Sequence, residues 1–133
     1  MPNSFMQKVT GIGGVFIKAK DPKNLTAWYQ KHLGINFGDE LYTNFKWNNS
    51  EAGVPGNTVF SFFKNDSTYF DPSLSAFMIN FRVDNLIELI AALKEEGIET
   101  AGDLVEEEYG KFSWIVDPEG NKIELWQPYD DKL

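Results

Sequence analysis

The sequence contains no cysteine. Disulfides, thiolate metal centres and a thiol nucleophile are therefore excluded. Basic residues are scarce, 12 against 20 acidic, for a formal net charge of −8. Such a chain repels phosphate backbones and anionic lipid, so neither nucleic acid nor a membrane surface is an expected partner. The N-terminal MPNSFMQKVTG has no apolar run of signal-peptide length, and no later stretch is long enough to span a bilayer. A cytoplasmic location is the default expectation. What is plentiful is aromatic: eleven Phe and four Trp in 133 residues. They suffice to fill one core or to line a pocket, and composition does not distinguish the two uses.

The chain shows two halves with one pattern. Asp21 and Asp84, Gly34-Ile35 and Gly97-Ile98, and Pro55 and Pro118 are each separated by 63 positions. In the first half Val15, Ile17 and Ala19 alternate with Phe16, Lys18 and Lys20, the period-two signature of a two-faced strand. Asp21-Pro22 ends it and opens a helix with a stripe at Leu25, Trp28 and Leu33, stopped at Gly34. In the second half Phe77, Ile79, Phe81 and Val83 form one strand face, and Met78, Asn80 and Arg82 the other. Asp84 or Asn85 then caps a helix carrying Leu86, Leu89, Ile90 and Leu93, which ends at Gly97.

Three shorter strands are expected after each helix: 36–41, 43–47 and 58–63, then 100–105, 111–116 and 122–126. Asp117–Asn121 reads as the hairpin turn of the last pair. The expected fold is α+β, two βαβββ repeats (about 10–64 and 76–128) in one domain, joined by residues 65–76 around a shared concavity.

The paired βαβββ pattern, the spacing from Asp21 through Trp28-Tyr29 to Leu33-Gly34, and the run Trp114 to Leu125 (WIVDPEGNKIEL) together resemble the vicinal oxygen chelate superfamily. That group holds glyoxalases, bleomycin-resistance proteins and extradiol dioxygenases. The resemblance implies a cupped mixed sheet and a homodimer. In metal-dependent members, four side chains from four strands converge on the ion. Carried over, these positions fall on Gly14, Ser61, Met78 and Glu124. Glycine supplies no donor and a thioether is a poor ligand for hard cations, so no metal and no cofactor is expected. The single histidine, His32, sits late in the first helix, where a surface role near the C-terminus suits it.

By strand alternation Phe16, Lys18, Ser61, Phe63, Met78, Asn80, Arg82 and Trp126 surround Glu124 in the concavity. Two cations, an amide and a carboxylate among aromatics suit a small-molecule pocket. Lys18 matches the position at which glyoxalases place a basic residue, and the expected ligand is an anionic or polar aromatic molecule. Lys18 and Arg82 alternatively lie at strand ends and pair with Glu124 or solvent. Trp28 and Tyr29 read as core, while Trp47 and Trp114 suit core, pocket wall or dimer contact equally.

The leading expectation is a metal-free binding protein of the bleomycin-resistance type. Its rivals are a lyase or isomerase with Glu124 as general base, a metal-dependent lactoylglutathione lyase-like enzyme, and a structural or regulatory domain.

Overall fold

Alternating apolar residues need a sheet with two different faces, and the computed structural model builds one. It describes residues 8–47 and 56–129. The elements run β1 (Val9–Ala19), α1 (Pro22–Leu33), β2 (Tyr42–Lys46), β3 (Asn57–Lys64), β4 (Phe77–Val83), α2 (Leu86–Glu95), β5 (Val105–Glu107), β6 (Gly110–Val116) and β7 (Lys122–Pro128). Seven strands form one mixed sheet in the order β2-β3-β1-β4-β7-β6-β5. β1 and β4 meet antiparallel at its centre, and each runs parallel to the last strand of its own half.

The helices cover one face. Leu86 and Leu89 of α2 pack on Val83 and Leu125, with Phe81, Ile115 and Ile123 around them. On α1, Tyr29 meets Phe60 and Phe62 at ring-centroid distances of 5.8 and 5.2 Å. Phe60, Phe62, Phe81 and Val83 thus take the helix side, which leaves Val59, Ser61, Phe63, Met78, Asn80 and Arg82 on the other. The expected division of faces holds along both strands.

Four details differ from the sequence reading. No strand forms over 36–41; Asn36 instead accepts a bond from the Gly38 amide through Oδ1, and Gly38 takes a φ of 61°. This local side-chain turn competes with the extended backbone a strand needs. The strand expected at 100–105 is displaced to Val105–Glu107. Trp28 and Leu33 are not core: they are 51% and 59% exposed, because α1 turns Pro22, Thr26 and Tyr29 to the sheet. Trp28 instead packs against His32, 5.0 Å between centroids.

The fourth difference concerns the repeat. Asp21 Oδ1 caps α1 by accepting from the Asn24 amide, and Asn85, not Asp84, caps α2 by accepting from the Glu88 amide. The caps therefore stand 64 apart, although the glycines after the helices, Gly34 and Gly97 at φ 70° and 85°, keep a spacing of 63. Pro55 lies outside the described residues. Its proposed mate Pro118 sits in the expected hairpin turn, where Asp117 Oδ1 accepts from the Glu119 and Asn121 amides.

Candidate functional site

Strand register puts one row of residues across the uncovered face. Asn44 lies level with Val59, Val59 with Gly14, Gly14 with Asn80, Asn80 with Glu124, and Glu124 with Trp114. Glu124 is 2% exposed. A buried carboxylate is costly unless hydrogen-bonded, and here three donors meet it. Asn80 Nδ2 donates to Oε1 at 2.6 Å, Trp114 Nε1 donates to Oε2 at 2.8 Å, and the Tyr69 hydroxyl donates to Oε2. Desolvation, then the Glu124 charge, pushes the Tyr69 phenol far above its ordinary value, which keeps it a donor. Lys122 brackets the group from outside, donating to the Tyr69 carbonyl at 2.8 Å with Nζ over the Tyr69 and Trp114 rings.

Above the row lies a cavity of about 410 Å³. Aromatic residues Phe16, Tyr42, Tyr109, Phe112 and Trp126 form half of its lining, Val59 adds an apolar side chain, and Gly13, Asn44, Asn80 and Glu124 bring backbone and polar groups to it. One side is buttressed by a column of flat groups. Phe112 stacks on Trp126 at 5.9 Å and 7°, and the Arg82 guanidinium lies 5.4 Å from Trp126 and 5.0 Å from Trp47. Arg82 also donates to Asn57 Oδ1 at 3.2 Å.

Of the residues expected around Glu124, the structure brings Phe16, Asn80 and Trp126 to the cavity. Met78 is buried beneath it with Phe16 and Phe70, and Phe63 packs on the same cluster. Ser61 stands level with Phe16 and Tyr42, outside the cavity wall. Lys18 reaches the end of its strand and covers the Phe70 ring at 5.2 Å. Arg82 enters the tryptophan column and does not line the cavity.

Sequence reasoning missed Tyr69, placed in a connecting segment, and left Trp114 undecided. For Trp114 a signal existed: the hairpin at Asp117–Asn121 sets Trp114 opposite Glu124 on the same face. Nothing comparable marked Tyr69.

The sequence model of the Glyoxalase/Bleomycin resistance protein/Dioxygenase superfamily matches residues 11–125. The chain belongs to this superfamily. Superfamily members are also its neighbours among solved structures. The methylmalonyl-CoA epimerase of Mycobacterium tuberculosis has a TM-score of 0.62 at 17% identity, over 98% of this chain and 97% of that one. A glyoxalase/bleomycin resistance protein/dioxygenase superfamily member from Vibrio splendidus 12B01 has a TM-score of 0.55 at 16% identity, over 87% and 97%. Streptomyces coelicolor methylmalonyl-CoA epimerase, in complex with 2-nitronate-propionyl-CoA, has 0.61 at 15%, over 91% and 99%. These likenesses establish the fold. No curated protein matches the sequence.

The superfamily's metal centre does not fit the residues present. A Cβ on Gly14 would come within 2.7 Å of the Phe16 ring, so that ring occupies the space of the first ligand. Met78 is 1% exposed and packed in the aromatic cluster. Glu124 already holds its three donors. Among the described residues no group of three His, Asp or Glu side chains converges.

The Tyr69 bond gives a pH-dependent expectation. A phenol whose folded pKa is raised contributes stability that is present below its unfolded value of about 10 and lost as pH rises above it. Urea unfolding at pH 8 should find Tyr69→Phe weaker than wild type by about 1–2 kcal/mol, discounted for the partial exposure of Tyr69. At pH 11 the gap should shrink.

Proposed function

We propose that this protein binds a small organic molecule in its aromatic-lined cavity, without a catalytic metal, and that binding itself is its function. One observation carries the reading: a buried carboxylate held by Asn80, Trp114 and Tyr69 beneath a cavity half of whose lining residues are aromatic. Such a carboxylate is a fixed landmark for a ligand. Among the described residues no cationic side chain lines the cavity beside it to stabilise an enolate-like intermediate.

The reading includes a homodimer. Its support is the edge strand β2, where Tyr42 and Phe45 are each 47% exposed, more apolar surface than an edge strand usually leaves open. Light scattering at micromolar concentration should give twice the chain mass.

The test is a thermal-shift screen of metabolites and aromatic drugs. A ligand at a hundred times its Kd should stabilise the fold by about 2.7 kcal/mol. Trp126→Ala should abolish the shift. Turnover of a hit that collapses in Glu124→Gln with affinity retained would instead make the protein an enzyme.

A further inference from the structure

We infer that the ligand of this cavity is a flat aromatic molecule carrying an N–H donor, above all a protonated amine, and not an anion; this rests on the small-molecule reading above. The argument begins at Glu124. An ionised carboxylate only accepts hydrogen bonds. Asn80 must therefore turn its amide nitrogen toward Glu124, as the 2.6 Å bond records, and its carbonyl oxygen is forced the other way. That oxygen, Oδ1, is buried and has no hydrogen-bond partner among the described residues, an arrangement that buried amides rarely tolerate.

Its location says what the partner must be. Oδ1 sits over the bare Cα of Gly13, where a Cβ would come within 2.3 Å of it. Gly13, Asn80 and Glu124 all line the cavity, and Oδ1 itself is covered by Gly13, so a ligand's donor supplies the bond Oδ1 lacks by drawing the Asn80 amide off Gly13 toward the cavity. The carboxylate behind the amide polarises it and strengthens its carbonyl as an acceptor.

Charge points the same way. Among the described residues, Glu124 is the one formally charged side chain of the cavity wall. Lys18 lies over Phe70 and Arg82 is sandwiched by Trp47 and Trp126, bonded to Asn57. Aromatic faces around the space favour a flat ligand and attract a cation. At the Gly13 end an anion would meet Asn80 Oδ1 and Glu124, both acceptors; the donors of the wall, on Tyr42, Asn44 and Tyr109, carry no positive charge.

Calorimetry at neutral pH on the full chain tests this with two probes of one ring system, naphthylmethylamine and naphthoate. The amine should bind at least about tenfold more tightly. In Asn80→Leu, chosen to keep volume, the preference should fall by about the same factor. If that variant does not fold, the wild-type ratio decides alone. Equal or tighter binding of naphthoate overturns the inference while the small-molecule reading survives. A preference for the amine that persists in a folded Asn80→Leu overturns it as well. Binding of neither probe also overturns it, and leaves the small-molecule reading to the broader screen.

Discussion

Glu124→Ala is expected to lower the unfolding free energy by about 3–5 kcal/mol, a loss of roughly 10–20 °C in Tm for a chain of this size. Truncation leaves a cavity where this fully buried side chain stood. The rest of the cost comes from the donors it abandons: Trp114 Nε1, Asn80 Nδ2 and the Tyr69 hydroxyl all point at a space that alanine leaves without an acceptor. Buried donors cost more unpaired than the bonds they make are worth. Glu124→Gln keeps the shape but turns at least one acceptor into a donor facing donors, so it should cost less than alanine and still be measurable. A Glu124→Ala variant melting within about 2 °C of wild type would show that the network contributes little.

The second large effect is expected far from any position singled out by pattern. Phe70 is 0% exposed, although it stands in the segment that joins the halves. It meets Phe63 edge to face at 5.2 Å, and it forms with Phe16 and Met78 the cluster beneath the cavity. Phe70→Ala should cost about 3–5 kcal/mol, and Phe70→Leu about 1.5 kcal/mol or less. Urea unfolding separates the two. The expected consequence for the site is larger than the distance suggests, because Tyr69 is the neighbouring residue and its bond to Glu124 depends on the same segment being seated.

These two residues mark the division between what the sequence made legible and what it did not. Glu124 could be placed because strand alternation fixes which face a side chain takes, and the hairpin at Asp117–Asn121 fixes its register against Trp114. The same alternation placed Asn80, Phe16 and Trp126 on the cavity side. Phe70 and Tyr69 lie in a turn-rich segment with no period, where an aromatic pair reads equally as surface or plug; only the folded chain shows that it closes over Met78 and Glu124.

Lys18 and Arg82 illustrate a second limit. Alternation gives the face but not the reach of a long side chain. Lys18 turns to an aromatic ring at the strand end, and Arg82 is drawn between two indoles, one of which, Trp47, comes from just beyond β2. The missing strand over 36–41 has a related cause. Asn36 and Gly38 supply a local turn that outcompetes the extended conformation implied by the repeat. The repeat itself was legible to within one residue, the one by which Asn85 replaces Asp84 as the helix cap.

The superfamily resemblance gave the topology and also the four positions at which a cation would be held. The residues at those positions do not suit one: a phenyl ring over Gly14, a thioether sealed in the cluster, and a carboxylate that already accepts from three protein donors. The account stands on that last point. Calorimetric titration of metal-free protein with zinc, nickel and manganese, in wild type and Glu124→Gln, tests it most directly. The account predicts no Glu124-dependent binding tighter than about 100 µM. One equivalent bound at micromolar affinity in wild type and lost in Glu124→Gln would contradict it.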